Sequence, residues 1–281
     1  MPLVIVPTPL GNLRDITLRA IDELRACDLL VAEDSRVARK LLGALGIPAR
    51  EIWSYREHNA ATVSGRILER ASTQRVVLTT DAGMPAISDP GTDLVAAARA
   101  REIAVEVLPG PSAIVGAAVL SGFPLRRFLF EGFPARASAA RRAQFERATR
   151  TESTSVWFES PKRIGKTLAD LAIVAPDARV FLLREYTKLH EEHLFGTPSE
   201  IAAGLETPVR GEITFVIAPI ARPHAQPVGE AIDEAIDALL SFDMPLSAIA
   251  KTLSREGYGL RSDLYARAAK RKRRGPPPEN S

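Results

Sequence analysis

Arg75-Val76-Val77-Leu78-Thr79 runs directly into Thr80-Asp81-Ala82-Gly83-Met84-Pro85-Ala86-Ile87-Ser88-Asp89-Pro90-Gly91. An apolar, β-branched run of this length predicts a buried strand. The loop after it holds two Asp, two Gly and two Pro, which demands a particular path, and long loops at strand ends usually carry function. The same design recurs along the chain. Strands are predicted at Leu3–Val6, Leu29–Ala32, Arg75–Thr79, Val105–Leu108, Thr154–Phe158, Arg179–Leu183 and Ile213–Ala218. Helical spacing lies between them: Leu18, Ile21 and Leu24 after a capping Thr17, Ile67 with Leu68, and Ile164 with Leu168 and Leu171. This alternation predicts an α/β fold with largely parallel strands.

Breakers at Ser121-Gly122-Phe123-Pro124 divide the pattern into two α/β halves, residues 1–121 and 122–220. Pro219, Pro223 and Pro227 end it. Beyond them the reading is purely helical, with helices expected at Ala231–Leu240, Leu246–Arg255 and Ser262–Arg271. A Gly-containing turn joins the last two, so residues 228–274 read as a basic helical, helix-turn-helix-like module. Residues 275–281 read as a disordered tail.

The chain has 281 residues, 46% hydrophobic and 25% charged, with a mean hydropathy of −0.02. Disorder throughout is excluded. Cys27 is the single cysteine, so no intrachain disulfide forms, and a reducing, cytoplasmic setting is expected. No run approaches the roughly 18 to 20 apolar residues that span a bilayer, and the start reads as a strand rather than a signal peptide. Charge is segregated. Lys251–Arg274 holds nine basic and two acidic side chains, a net +7, which leaves −4 for the rest of a chain whose formal total is +3. An acidic body with a basic appendage points to a polyanionic partner, nucleic acid first, although a basic run is also a common solubilising tail.

Each loop has a plain structural reading beside a functional one. Pro7-Thr8-Pro9-Leu10-Gly11-Asn12-Leu13-Arg14-Asp15-Ile16-Thr17 lets backbone approach a ligand, yet it is neither a GxGxxG fingerprint nor a P-loop, and it is also an ordinary strand-to-helix turn. Ala32-Glu33-Asp34-Ser35-Arg36 places two acids, a hydroxyl and a guanidinium at a sheet's carboxyl edge, where open α/β sheets bind ligands; helix capping by Asp34 or Ser35 competes. Asp89 could cap the helix that follows it. Leu108-Pro109-Gly110-Pro111-Ser112-Ala113 has residues small enough to admit a flat ligand, or is a Pro-initiated helix start. Phe158-Glu159-Ser160-Pro161-Lys162-Arg163-Ile164 opens a helix with two cations, which suits an anion. Arg184-Glu185-Tyr186-Thr187-Lys188-Leu189-His190-Glu191-Glu192 is dense in titratable groups. His190 and His193 there are read as solvated charge, and no metal is expected.

Together these loops resemble the tetrapyrrole methylase superfamily, and within it a branch that modifies small-subunit ribosomal RNA. The motifs, in order, are Thr8-Pro9-Leu10-Gly11-Asn12-Leu13 with Asp15-Ile16-Thr17; Ala32–Arg36; Asp81-Ala82-Gly83 with Ile87–Gly91; Pro109–Ala113; Phe130-Glu131-Gly132-Phe133; Glu159-Ser160-Pro161 with Arg163-Ile164; and Arg184-Glu185 with Thr187-Lys188. Each is weak alone; seven in order are specific. The resemblance implies two α/β domains with S-adenosylmethionine in the cleft between them, a small C-terminal helical domain, a homodimer, and 2′-O-methylation of a cytidine ribose in ribosomal RNA or the small ribosomal subunit. It places the donor against Pro9, Leu10, Gly11, Asp81, Ala82, Gly83, Ile87, Ser112, Ala113, Glu159 and Ser160. Ser35, Met84 and Lys162 stand where threonine, threonine and histidine are common.

Methyl transfer to a ribose hydroxyl needs in-line alignment and help with its proton. Glu33, Asp34, Arg36, Glu185 and Lys188 are the candidate catalytic groups, one acid taking the proton while Lys188 or Arg184 stabilises developing alkoxide; phosphate contacts or interdomain ion pairs are the alternative. Lys162, Arg163, Arg184, Arg261, Arg267, Lys270 and Arg271 are the candidate RNA contacts. A tetrapyrrole or a modified protein side chain as methyl acceptor, or a non-enzymatic nucleic-acid regulator, are the competing classes.

Overall fold

The computed structural model describes residues 2–48, 51–220 and 229–274. The first half is a five-stranded, wholly parallel sheet of β1 (Leu3–Ile5), β2 (Leu29–Ala32), β3 (Glu51–Ser54), β4 (Val76–Thr79) and β5 (Val105–Val107), ordered β3-β2-β4-β1-β5. Alternation along each strand feeds two cores. Leu3 and Ile5 face α3 (Ala60–Thr73) and α4 (Thr92–Ala100) through Ile67, Leu68, Leu94 and Ala98, while Val4 and Val6 face α1 (Leu18–Ala26) and α2 (Ser35–Ala44) through Leu24, Ala38 and Leu42. Helices on both faces bury every central strand, which is why these strands are continuous apolar runs. Thr17 caps α1, its hydroxyl accepting from the Ala20 N–H, as its sequence position predicts; such a cap contributes about 1 kcal/mol.

In the second half, β6 (Phe128–Gly132), β7 (Thr154–Glu159), β8 (Val180–Arg184), β9 (Glu192–Gly196) and β10 (Ile213–Ile217) take the order β6-β7-β10-β8-β9. Only β6 and β7 pair in parallel; β7–β10, β10–β8 and β8–β9 are antiparallel. The expectation of largely parallel strands therefore holds for the first sheet and fails for the second. The short connection from Arg184 to Glu192 makes β8–β9 a hairpin, and β10 enters between β7 and β8 running against both. One face of this sheet is covered by α6 (Ser138–Arg150), α7 (Ile164–Val174) and α8 (Pro198–Gly204), through Phe145, Leu168, Leu171 and Ile201 packed on Trp157, Leu182 and Phe215.

The opposite face is covered by α5 (Ala113–Leu120), which begins directly after the last strand of the first sheet. Ile114, Ala117 and Ala118 pack on Val156, Phe181, Leu183 and Val216, so this helix ties the halves into one compact unit ending at Ile220. Burying an isoleucine such as Ile114 contributes roughly 1.5–3 kcal/mol. Gly116 lets α5 lie close, since a Cβ there would stand 2.5 Å from the Tyr186 ring.

The second compact unit holds α9 (Gly229–Leu240), α10 (Leu246–Arg255) and α11 (Arg261–Arg274) around Ile236, Ile249, Leu253, Leu264 and Ala268. Gly257 and Gly259 take positive φ in the α10–α11 turn. Pro223, Pro227 and the 275–281 tail lie outside the described residues. Among the described residues no helix is long and apolar enough to cross a membrane.

Gly116→Ala is expected to overpack the α5–Tyr186 contact and destabilise the protein by about 1–3 kcal/mol, read as a lower urea midpoint at unchanged slope. An unchanged midpoint would contradict this packing.

Candidate active site

The carboxyl ends of β1 and β4 deliver two loops that are joined by backbone. Thr8 and Gly83 exchange N–H···O bonds of 2.9 and 3.0 Å, and the Thr8 hydroxyl donates to the Thr80 carbonyl at 3.1 Å. Gly83 takes φ +79°, and a Cβ there would stand 3.0 Å from Leu10 Cδ2; only glycine makes this turn without strain. Ser112 caps α5 through the Val115 N–H, placing Ser112 and Ala113 beside the turn. From the second half come the end of β7, with Glu159 and Ser160, and the residues that open β10, Gly211 to Thr214. These elements enclose a cavity of about 350 Å³, within the range of small-molecule and cofactor sites.

Of the sequence-derived donor residues, Leu10, Ala82, Gly83, Ile87, Ser112, Ala113, Glu159 and Ser160 line this cavity. Pro9, Gly11 and Asp81 do not. Gly11 packs against Lys188, with the neighbouring Asn12 N–H donating to Thr187 Oγ1 at 3.2 Å, and Asp81 accepts from the Asp34 N–H at 3.0 Å. Met84, Asp89, Phe133, Phe158 and the Gly211–Thr214 segment join the wall without having been foreseen. Asp89 does not cap α4, whose N-cap is Gly91. The backbone is strained in the cavity loop after β4, at Ala86 and Ser88, and in the β8–β9 turn, at Glu185 and Thr187; these are four of the seven non-glycine residues with positive φ among those described, a conformation that costs of order 1–3 kcal/mol and clusters at functional sites.

The candidate catalytic groups fall into two networks. Asp34 is the N-cap of α2, accepting from the Arg36 N–H at 2.8 Å and pairing with the Arg36 and Arg56 guanidinia at 2.6 and 3.0 Å. Its hydrogen bonds from Arg36 hold the carboxyl far below the usual range, which makes it a weak base. Glu33 accepts from the Thr80 hydroxyl at 2.8 Å. Burial, reinforced by Glu33 and Asp34, pushes the Asp81 carboxyl up. Burial likewise pushes Asp89 up to about 6, with Glu33, Asp81 and Glu212 adding to the rise.

In the other network Lys188 Nζ donates to Glu185 at 2.9 Å and to Glu212 at 3.0 Å. Burial disfavours charge on Glu185, but Lys188 and the Glu212 N–H outweigh it and hold the carboxyl below its ordinary value. Burial also opposes the Lys188 ammonium, and the two carboxylates overcome it and raise its pKa.

The candidate RNA contacts divide by what already holds them. Arg163 pairs with the buried Glu159 at 3.2 Å and donates to the Pro134 carbonyl, Arg184 pairs with Glu192 at 2.7 Å, and Arg267 and Arg271 pair with Asp233 and Asp237 on α9. Lys162, Arg261 and Lys270 are exposed. His193 contacts Glu191 at 2.7 Å, and no cluster of metal-ligating side chains occurs among the described residues.

A doubly wound parallel half joined to a mixed-sheet half, with a cavity where their strand ends meet, is the layout of a two-domain methylase. The family model for tetrapyrrole (corrin/porphyrin) methylases matches residues 2–202, and the chain belongs to that family. A relative from Thermotoga maritima named Ribosomal RNA small subunit methyltransferase I is 42% identical over 219 residues, 77% of this chain and 97% of the relative. A relative of the same name from Halalkalibacterium halodurans is 41% identical over 217 residues, 76% and 75% respectively. The solved structure of a diphthine synthase superposes with a TM-score of 0.62 at 15% identity, covering 78% of this chain and 90% of that one, a likeness of fold.

Because the folded-state pKa of Asp89 lies above its ordinary 3.8, the native protein holds a proton that the unfolded chain releases. The stability this lends is present at pH below about 4 and is lost as pH rises through about 6. Asp89→Asn, which cannot ionise, should therefore raise Tm relative to wild type at pH 8 and leave it level at pH 4. An equal Tm at pH 8 would show that Asp89 is not perturbed.

Proposed function

We propose that this protein transfers a methyl group from S-adenosylmethionine to the 2′-hydroxyl of a cytidine in small-subunit ribosomal RNA, in the cytoplasm. The observation that carries this reading is the cavity at the meeting of the strand ends, in a chain about 42% identical to a named small-subunit RNA methyltransferase over three quarters of its length.

The residues present fit the donor. A wall of Leu10, Gly83, Ile87, Ala113 and Phe158 suits an apolar, flat nucleoside, with Gly83 removing the side chain that would crowd it. Asp89 and Glu212 give the same wall the negative charge that a sulfonium requires. When bound, S-adenosylmethionine supplies an electrophilic methyl carbon next to a good leaving group. The chain's own task is then to hold the acceptor oxygen in line, exclude water and receive one proton.

The acceptor is read as a polynucleotide from the basic unit. With Arg267 and Arg271 committed to α9, Arg261, Lys270, Lys272 and Arg273 are exposed cations of α11 among the described residues, and Tyr265 on the same helix is half exposed. Exposed apolar side chains on α5, Val115 and Val119 at 55% and 63% exposure and one helical turn apart, support a second copy of this chain as the partner that covers them.

Incubation of small-subunit RNA, naked and assembled, with the protein and labelled donor should yield 2′-O-methylcytidine on nuclease digestion and mass analysis. Label on a base, or none on RNA, would refute the reading. The combined change Lys270→Ala, Lys272→Ala, Arg273→Ala should weaken RNA binding and flatten its dependence on log salt by about 2, at roughly 0.7–0.9 per lost phosphate contact, with donor affinity unchanged. An unaltered salt slope would remove α11 from the RNA surface.

A further inference from the structure

The Thr80 hydroxyl, first in the loop after β4, stands 2.8 Å from Glu33 Oε2 and 2.8 Å from Asp89 Oδ2. A threonine hydroxyl has one hydrogen to donate and lone pairs with which to accept, and an ionised carboxylate can only accept. While both acids are charged, one of these contacts is therefore not a hydrogen bond. Both are satisfied when one carboxyl carries a proton and donates to Thr80, which in turn donates to the other. Position decides which acid is protonated. Glu33 has a second donor in the Asp81 N–H at 3.4 Å, whereas Asp89 is half buried on the cavity wall.

The charged groups around the pair point the same way. Glu33 from the end of β2, Asp81 from the end of β4 and Glu212 from the start of β10 all present negative charge to Asp89. The nearby cations are committed elsewhere: Arg36 and Arg56 to Asp34, and Lys188 to Glu185 and Glu212.

We propose that Glu33, Thr80 and Asp89 form a one-proton store in the cavity wall, and that Asp89 is the catalytic residue that receives the proton of the methyl-accepting hydroxyl. The inference rests on the methyl-transfer reading above. As the acceptor oxygen bonds to the methyl carbon, its O–H bond breaks and the proton passes to Asp89; the electron pair of the broken sulfur–carbon bond stays on sulfur. Thr80 then accepts a hydrogen bond from the protonated Asp89 and donates one to Glu33, so the proton is held without an unpaired buried charge until it leaves to solvent. A bound cation in the cavity empties the store beforehand, because positive charge next to Asp89 favours its ionised form.

Three measurements on the full-length protein test this. Carbon-detected titration of the side-chain carboxyls in the ligand-free protein should show Asp89 titrating near pH 6, and Glu33→Gln, which removes one facing charge, should move that midpoint down. Calorimetry of S-adenosylmethionine binding at pH 6, in two buffers of different ionisation heat, should show proton release by wild type and none by Asp89→Asn. Single-turnover RNA methylation at saturating donor should fall about 10²–10⁴-fold in Asp89→Asn, beyond any weakening of donor binding from the lost charge, and the wild-type pH profile should shift with the Glu33→Gln midpoint. An Asp89 that titrates at an ordinary carboxylate pH beside normal RNA methylation overturns the proposal alone. Loss of donor affinity rather than rate in Asp89→Asn also overturns it, making Asp89 a donor ligand. Absence of any RNA methylation by wild type overturns the functional reading itself, whatever the titration shows.

Discussion

Helix α5 belongs to the first half by chain order and to the second by packing. Its Ile114, Ala117 and Ala118 fill the face of the second sheet that α6, α7 and α8 leave open, and Gly116 admits the Tyr186 ring against its backbone. Everything at the site follows from that docking. The helix starts at Ser112-Ala113, themselves part of the cavity wall, so burying its apolar side also fixes where the end of β7 and the start of β10 stand relative to the loops after β1 and β4. A cleft assembled this way has its shape set by core packing rather than by the loops alone.

On the cleft wall and beside it, electrostatics sort the acids. Asp34 is locked by two guanidinia and a helix N-terminus, and Glu185 by Lys188; both are held ionised and are poor proton acceptors. Asp89 is half buried and faces neighbours of its own sign, and this raises its proton affinity toward the working range. Carboxylates with similar sequence surroundings thus separate, through their partners, into groups held ionised and a group of raised proton affinity.

Much of this was legible in the residues. The central strands announce themselves as apolar runs because helices cover both their faces, and the loops after them are recognisable by their Gly, Pro and Asp content. Three strands were not read: Glu51–Ser54, Phe128–Gly132 and Glu192–Gly196. All three are sheet edges, half exposed and mixed in polarity, so their pattern resembles loop. The Gly211–Thr214 side of the cavity was missed for a different reason. A parallel sheet places ligand sites after its strands, but β10 runs antiparallel and brings its beginning, not its end, to the same edge. Pairing partners distant in the chain decide that direction, and periodicity does not record them. The basic residues of α11 show the same limit: sequence counts Arg267 and Arg271 as free charge, and only the three-helix packing reveals Asp233 and Asp237 beside them.

The central claim is that the cavity between the two halves holds the methyl donor. A crystal structure of the full-length protein with S-adenosylhomocysteine tests it most directly. The ligand is expected between the Ala82–Gly83 turn and Glu159–Ser160, in contact with Ser112 or Ala113. A ligand seated elsewhere, with this cavity closed by side chains, would contradict it.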